Sequence, residues 1–423
     1  MIYLLLLAGL FIVGMPIGIS LLAVGLLYLS FTGQLDLVIA AQRVSTGLDS
    51  FSLLAIPFFM LAGNLMNRTG ITDKIFTLAR VFVGHIPGGL GHVNVLASMI
   101  FAGMSGSAVA DAGGLGAIEI KAMTDDGYDR EFSAGITAAS STIGPVIPPS
   151  ISFVVYGLAS GVSIGALFLA GLLPGILMGL TLMIMVFIIS KKNNYPIYKR
   201  ASFQDFYKAF IPALPALMAP LLIVGGIVTG VFTATEAGVF GCMYALVLGL
   251  WNKELKLKDL PEILIDTLQT SGNTLFIIAV TGLIGWILTM EQIPLQLAGW
   301  MSEVAPTTGV FLLMLNVVLL LLGCFMASQP VIIMCTPIIL PAALMMGVSP
   351  IHLGVVMVLN LMVGLITPPV GVCLYAVSDV SGLSIMKIAK AVLPFYFPLL
   401  IALLVITYWS EFVMFLPRLF GFA

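Results

Sequence analysis

Two proline pairs in apolar surroundings are the best candidates for chemistry in this sequence. The first lies in the run Ser140–Ser150, SSTIGPVIPPS, and the second closes the run Gly364–Pro369, GLITPP. Proline lacks an amide hydrogen and clashes with the carbonyl group one turn earlier, so each pair should open a helix. Carbonyl groups freed in an apolar environment are costly unless something binds them. A dehydrated Na⁺ ion would bind them, with Ser or Thr hydroxyls completing its oxygen shell, and the helix that follows would offer free amides to an anion.

A segment of small residues precedes each proline pair. Gly103–Asp111, GMSGSAVAD, should form the first candidate site together with Ser140–Ser150. The second candidate site has fewer polar groups and combines Gly323, Ala327, Ser328, Asn360, Gly364, Thr367, Pro368 and Pro369. Asp111 is a functional candidate because an intramembrane carboxylate is rare and costly.

Each of these features also has a structural interpretation. The prolines could simply kink their helices, with the serines bonded back to their own helix. Asp111 could cap a helix in a water-filled mouth, and Asn360 could be a packing amide bonded to a neighbouring helix. Because break and small-residue segment recur in both halves, the functional interpretation of the breaks is favoured. Glu236 is interpreted structurally, as an acid in the first turn of a helix that Thr233 or Thr235 caps.

The elements that position these residues must lie in a membrane. Of the 423 residues, 60% are hydrophobic and 9% are charged, whereas soluble proteins carry about 25% charged residues. The net charge of -2 gives no electrostatic case for nucleic-acid binding. The four cysteines lack CxxC spacing, and motifs such as HExxH, GxSxG or a Walker loop are missing from the sequence. We therefore expect a protein that is not an enzyme, with no cofactor and no metal other than Na⁺.

A membrane-spanning helix needs roughly 20 apolar residues. Nine stretches predict full crossings: 3–30, 47–66, 131–160, 164–190, 209–231, 235–252, 266–290, 352–380 and 390–415. The first stretch is too long, and too poor in basic residues, for a cleaved signal peptide. Two further stretches, 92–123 and 308–346, break in the middle and predict re-entrant hairpins of half-length helices, the second interrupted again at Thr336–Pro337. Short amphipathic segments within 67–91 and 291–307 predict helices that lie in the membrane interface.

Charge placement predicts the orientation. With a cytoplasmic N-terminus and a periplasmic C-terminus, all of the 17 Lys and Arg residues except Arg43 and Arg418 lie in or beside cytoplasmic segments. The positive-inside rule requires this arrangement, and the opposite orientation would violate it almost completely.

An internal repeat with an offset of about 220 residues relates the two halves. Gly144–Pro149 recurs as Gly364–Pro369, and Gly161–Ile164 recurs as Gly382–Ile385. An odd number of crossings separates the two hairpins, so the second hairpin enters the membrane from the opposite face. The predicted fold is an all-α polytopic membrane protein with inverted repeats, each with a hairpin and a broken helix, which is typical of a secondary transporter.

These motifs resemble those of the large membrane subunit of TRAP (tripartite ATP-independent periplasmic) transporters. The matching motifs are Gly103–Asp111, Gly144–Ser150, Phe232–Ala237 and Gly364–Gly371, which follow the family's order across most of the chain. The chain is more similar to the sialic-acid branch than to the C4-dicarboxylate branch.

The resemblance implies Na⁺-driven uptake of a small organic anion across a bacterial inner membrane. It implies two partners, a small four-helix membrane subunit that is not fused to this chain and a periplasmic substrate-binding protein. It also implies an elevator in which a transport part moves against a scaffold. The scaffold would comprise 1–66 and 235–290, the connector 209–231, and the transport part 92–190 and 308–415, with interfacial arms at 67–91 and 291–307.

The resemblance further assigns residues to ligands. It implies a first cation at Ser105, Ser107, Gly144 and Ile147, and a second at Gly323, Ser328, Gly364 and Thr367. The substrate would meet Ser107, Asp111, Pro149, Ser150, Asn360 and Pro369. Many of these ligands would be backbone carbonyls.

Two other functions stay open at this point. A carrier with a similar inverted-repeat fold could transport dicarboxylates with Na⁺ and no binding protein. An intramembrane enzyme acting on lipid substrates would need a reactive His, Cys or acid pair at one depth, and the sequence predicts none.

Overall fold

The computed structural model describes residues 6, 9–10, 13–32, 37–293, 296, 299 and 304–422. Its helices of the first half are α1 Ile17–Thr32, α2 Leu37–Thr46, α3 Ala55–Asn67, α4 Ile71–Val83, α5 Gly89–Ser105, α6 Ala108–Ala110, α7 Gly116–Asp125, α8 Arg130–Ser141, α9 Ile151–Ser160 and α10 Ile164–Asn193. Those of the second half are α11 Phe203–Val228, α12 Ala234–Trp251, α13 Leu260–Met290, α14 Thr308–Phe325, α15 Ser328–Met345, α16 Pro350–Gly364, α17 Val372–Ser381, α18 Ile385–Tyr408 and α19 Ser410–Leu419. Short 3-10 helices cover Phe51–Leu54 and Leu257–Asp259, and a π-helical segment at Asp111–Leu115 joins α6 to α7.

The described residues form helices and contain no strand. Seven of the described helices are long and apolar enough to cross a membrane, or eight if α2 and the helical segment after it count as one span bent by 61°. The protein is therefore an all-α polytopic membrane protein, as predicted.

Two helical hairpins lie where the sequence predicts re-entrant segments. α5 and the run from α6 to α7 form hairpin 1, and α14 and α15 form hairpin 2. The prediction of half-length helices was wrong, because α14 and α15 each have 18 residues. At 1.5 Å per residue each is about 27 Å long, close to the thickness of the hydrocarbon core.

The predicted interruption at Thr336–Pro337 was also wrong. α15 continues through Pro337 and Pro341. The Thr336 hydroxyl donates to the carbonyl oxygen of Ile332 at 2.6 Å, and such side-chain bonds help membrane helices to tolerate proline.

The first predicted spans need correction as well. The stretch 3–30 is not one continuous helix, because the chain turns at Gly14, which has a left-handed φ of 83°, and α1 begins only at Ile17. The predicted span 47–66 is the second arm of the bent pair with α2. The predicted span 390–415 divides into α18 and α19. The interfacial segment 291–307 lies largely outside the described residues.

The broken helices have the same local geometry in both halves. α8 ends at Ser141 and α16 ends at Gly364, and each is followed by a loop and then a ten-residue helix, α9 or α17. α9 ends at Gly161, with a φ of 74°, and α17 ends at Gly382, with a φ of 66°. Glycine adopts this left-handed conformation without a Cβ penalty. The repeat found in the sequence is therefore also a repeat in structure.

The two halves interlock around the breaks. α17 of the second half packs against α7 of hairpin 1 and against α8, and α9 of the first half packs against α15 of hairpin 2. A separate group forms around α13, which packs against α1, α2 and α3, while α3 also packs against α12. The helices around the breaks meet the other helices where α5 contacts α3 and α11, and where α13 contacts α15. The division into scaffold and transport parts stays a prediction.

Candidate functional site

The tip of hairpin 1 lies directly on the first break. Gly106 has a left-handed φ of 57°, and a Cβ added to it would lie 2.8 Å from the carbonyl oxygen of Pro149. A Cβ added to Gly144 would lie 3.5 Å from the carbonyl group of Ser107. Glycine at position 106 therefore lets the backbones of hairpin and break approach closely, while the contact at Gly144 has ordinary van der Waals spacing. Ser107, Gly144 and Pro149, which lie far apart in sequence, come together here.

Carbonyl oxygens without hydrogen-bond donors make the first break a candidate cation site. The described residues donate no hydrogen bond to the carbonyl oxygens of Gly144, Val146 or Ile147. All three residues are buried, and an unpaired buried carbonyl is unfavourable unless it has a partner. Na⁺ is a hard cation that binds oxygen ligands, so these three carbonyl oxygens fit it chemically. The Ile147 side chain itself packs against Gly175 of α10.

The hydroxyls around the first break bond to their own helices, as in the structural alternative. Ser141 donates to the carbonyl oxygen of Ala138 at 2.8 Å, and Thr142 donates to that of Ala139 at 2.6 Å. Ser150 is the N-cap of α9, where its side-chain oxygen accepts the amide of Phe153 at 3.2 Å. Ser150, which the resemblance assigns to the substrate, is therefore already used as the cap of α9. The side-chain oxygens of Ser141 and Thr142 still have free lone pairs.

The second half-site has the same approach of tip and break. A Cβ added to Gly364 would lie 2.5 Å from the backbone of Gly323. The carbonyl oxygen of Cys324, next to the tip of hairpin 2, accepts the amides of Val370 at 3.1 Å and Gly371 at 3.4 Å. Direct hydrogen bonds therefore join hairpin 2 to the second break.

Two carbonyls of the second break have protein donors, whereas in the first break the Val146 carbonyl that corresponds to Ile366 has none among the described residues. The Leu365 oxygen accepts the amide of Cys373 at 3.0 Å, and the Ile366 oxygen accepts the Tyr396 hydroxyl at 2.6 Å. The Thr367 hydroxyl donates back to its own helix at 2.8 Å. Pro368 and Pro369 are exposed, so the second break is also the more accessible one.

The remaining predicted site residues lie apart from these contacts. Ser105 is buried one residue before the Gly106 turn, and Ser328 is buried at the first residue of α15. Asn360 donates to Asn316 at 2.8 Å and to the Val356 carbonyl at 2.7 Å, which is the packing arrangement of the structural alternative. Asp111 is 1% exposed, at the first residue of the π-helical segment.

Comparison with known proteins fits this geometry. Residues 4–412 match the family model of the tripartite ATP-independent periplasmic transporter, DctM component. The chain belongs to the DctM family. It is 44% identical over 414 residues to the sialic acid TRAP transporter large permease protein SiaM of Vibrio cholerae, covering 97% of each chain. It is 38% identical to the C4-dicarboxylate TRAP transporter large permease protein DctM of Pseudomonas aeruginosa, covering 89% of this chain and 88% of that one. This DctM-family chain is therefore a membrane subunit of a bacterial TRAP transporter and not an enzyme.

Two further comparisons concern length and fold. The sialic acid TRAP transporter permease protein SiaT of Haemophilus influenzae is 41% identical over 96% of this chain, which matches 66% of that longer protein. The YdaH transporter of Alcanivorax borkumensis has a similar structure, with a TM-score of 0.65 over 89% of each chain at 13% sequence identity. This second likeness supports the fold alone.

In this DctM-family subunit, hairpin 1 also lies against the α3 and α11 helices. A Cβ added to Gly63 of α3 would lie 3.1 Å from the Ser105 carbonyl oxygen, and one added to Gly103 would lie 2.9 Å from Pro220 of α11. A cavity of about 280 Å³ lies nearby, where Gly47, Thr281 and Gly282 face residues of α9 and α15. Small residues thus line the contacts between the two groups of helices.

The capping interpretation of Glu236 is confirmed. The Thr233 side chain accepts the amide of Glu236 at 3.3 Å, while the Glu236 carboxylate accepts the amide of Thr233 at 2.8 Å. The motif FTATEA that contributed to the resemblance is therefore a capping box at the start of α12.

The sequence-based site missed a buried polar cluster between the hairpin and α8. Glu119 of α7 is fully buried and accepts a 2.7 Å hydrogen bond from Asn94 of α5. Asn94 also donates to Thr137 of α8 at 2.7 Å. A usable signal was present, because Glu119 stands between two isoleucines inside a predicted membrane hairpin.

Proposed function

We propose that this DctM-family subunit takes up a sialic acid together with Na⁺, receiving the substrate from a periplasmic binding protein. The observation that carries the proposal is the contact between the Gly106 tip and the first break, where three buried carbonyls receive no hydrogen bond from the residues that the structure describes. A monovalent cation would satisfy these oxygens and hold tip and break together. Identity of 44% to a sialic acid permease supports the substrate class.

The half-helices supply the chemistry for an anion. α9 and α17 both begin inside the protein, at the breaks, and the N-terminus of a helix attracts negative charge. A substrate carboxylate near these ends would lie beside the cation, so each would strengthen the binding of the other. This coupling is how a Na⁺ gradient would drive uptake.

We also propose an elevator movement along the surface where the groups of helices meet. Hairpin 1 touches α3 and α11 through Gly63 and Pro220, and small residues make a smooth surface with few side chains to disengage. The hairpins, the breaks and the helices packed on them would slide as one body against α3, α12 and α13. We place the N-terminus in the cytoplasm and expect the small membrane subunit on the scaffold, with α11 as its contact.

The test is uptake into proteoliposomes that contain this chain with its small subunit. Radiolabelled sialic acid is offered with an inward Na⁺ gradient, and the binding protein is added or withheld. Uptake that requires both Na⁺ and binding protein supports the proposal. Transport of a C4-dicarboxylate in place of sialic acid would keep the mechanism and change the substrate.

The second candidate is the stand-alone Na⁺/dicarboxylate carrier. The inverted repeat of broken helices, which does not depend on a binding protein, keeps this candidate in the test. Uptake of either substrate without any binding protein would favour it and would contradict the tripartite proposal.

A further inference from the structure

Glu119 is a carboxylic acid with no charged partner in the interior of hairpin 1. Its side chain is 0% exposed. Asn94 donates to Oε2 at 2.7 Å, while Oε1 is buried and has no hydrogen-bond partner among the described residues. The ion pairs of the described residues, Arg68–Glu262 and Arg418–Glu411, lie elsewhere.

Glu119 ends a buried row of hydrogen-bonded side chains. Asn94 accepts the hydroxyl of Ser140 at 2.7 Å, and Ser140 accepts the hydroxyl of Ser98 at 3.2 Å. Asn94, Ser98 and Ser140 are each at most 1% exposed. Hydroxyl and amide groups can satisfy one another in such a row, but none of them brings a positive charge.

A second acid makes a charged Glu119 still less favourable. Asp111 lies two turns earlier in the same helical run, with both carboxylate oxygens buried and unpartnered. An isolated carboxylate is very costly in such surroundings, and two like charges add repulsion. The local structure therefore calls for a positive ligand.

We propose that Glu119 is a proton-binding site of the transport hairpin, with the proton on Oε1. Protonation forms one O–H bond at this oxygen, takes the proton from the aqueous phase and leaves the neutral acid compatible with burial. A metal cation fits less well, because Asn94, Thr137 and Ser140 already use their oxygens and amide in 2.7 Å hydrogen bonds. The proposal rests on the transport role of the chain and not on Na⁺ coupling or the identity of the substrate.

The elements packed against α7 contain few other titratable groups. Asp111 and Cys373 of α17 are buried, and His92 of α5 is buried two residues from Asn94 on a different face of its helix. The remaining titratable groups on α7 and these elements are exposed: Lys121, Asp125, Arg130, Glu131, Tyr375 and Asp379.

Infrared difference spectroscopy of the purified complex tests the proposal without transport. A protonated carboxyl has a C=O stretching band that a carboxylate lacks and that shifts in D₂O. Because Asp111 is also a buried acid that would contribute to this band, the Glu119 part is taken as the difference between the spectra of the wild type and Glu119→Gln. We expect a C=O band in this difference, while the control Glu131→Gln, which changes an exposed acid, gives none. In Asn94→Leu the band should persist at a higher frequency, because Oε2 loses its donor, so this variant tests the assignment even if Glu119→Gln does not fold.

Uptake measurements give the second readout. If transport needs the protonated acid, uptake by the wild type should fall at alkaline pH. Gln at position 119 mimics the protonated acid, so Glu119→Gln should transport without this alkaline decline, while Glu131→Gln should show it. An infrared band that is unchanged in Glu119→Gln would overturn the proposal. So would a folded Glu119→Gln protein that no longer transports while Glu131→Gln does, because the charge itself would then be required, as for a metal ligand. If neither the wild type nor the control transports, the proposed function fails while the infrared result still decides the proton site.

Discussion

The contact between the hairpin 1 tip and the first break predicts a specific loss of Na⁺ affinity in Gly106→Ala. The new methyl group would lie 2.8 Å from the Pro149 carbonyl oxygen, which belongs to backbone and cannot turn away. The alanine would also keep a φ of 57°, which only glycine adopts without strain. Tip and break must therefore move apart, and the cation that both would bind loses part of its shell.

The expected loss of Na⁺ affinity is obtained by separating the backbone strain of Gly106→Ala from its steric contact with the break. A left-handed alanine costs about 1–2 kcal/mol wherever it stands, and overpacking against the break costs about 1–3 kcal/mol more. Gly161→Ala is a matched control, because Gly161 has a φ of 74° but nothing within 4 Å of its added Cβ. The difference between the two variants isolates the contact and corresponds to about a 5-fold to about a 150-fold weaker Na⁺ affinity.

Two assays measure this difference. The Na⁺ concentration for half-maximal uptake should rise in Gly106→Ala relative to Gly161→Ala. Thermal stabilisation by Na⁺ should also need higher Na⁺ in Gly106→Ala, because a ligand stabilises a fold according to its concentration over its Kd. Equal Na⁺ dependence of the two variants, with both folded, would refute the placement of the cation between tip and break.

Three other variants probe the supports of the site. Ser150→Ala removes the N-cap of α9 and should lower the free energy of unfolding by about 0.5–2 kcal/mol, seen as a lower Tm of the purified complex. Asn316→Ala leaves the buried Asn360 amide without its 2.8 Å partner, at a cost of about 1–3 kcal/mol; a Tm equal to the wild type would contradict this. Tyr195, in the loop after α10, has its pKa raised from 10.0 to about 12 because it is partly buried and donates to Asp129. A raised folded-state pKa gives stability that is full below the unfolded value and is lost as pH rises through the folded value, so stability should fall between pH 10 and about 12, and Tyr195→Phe should lack this part of the decline.

Local chemistry made the breaks predictable from sequence. Gly144–Pro149 and its copy Gly364–Pro369 remove amides and favour helix opening wherever they stand, and the structure opens at both. The capping box of Thr233 and Glu236 is equally local, since both partners lie within one turn. Features decided by neighbours within a few residues can be read from one sequence.

Features decided by distant neighbours could not be predicted in this way. Pro337 interrupts a helix in isolation, but α15 continues through it within its packed surroundings. Glu119 was overlooked because Lys121 and the acids at Asp125 and Asp126 suggest a solvated helix end. Its burial depends on Asn94 and Thr137, which the fold brings from two other helices.

The two half-sites have similar breaks, but their carbonyls differ in the hydrogen-bond donors that they receive. In the second break, the Tyr396 hydroxyl of α18 satisfies the Ile366 carbonyl. The equivalent turn of α10 has Gly175 and Ile176, neither with a donor side chain, and the Val146 carbonyl that corresponds to Ile366 receives no hydrogen bond from the described residues. A tyrosine in one repeat thus does for its carbonyl what a bound cation would do in the other. A cation in the second half-site would therefore need oxygens other than those of Leu365 and Ile366, which already accept hydrogen bonds.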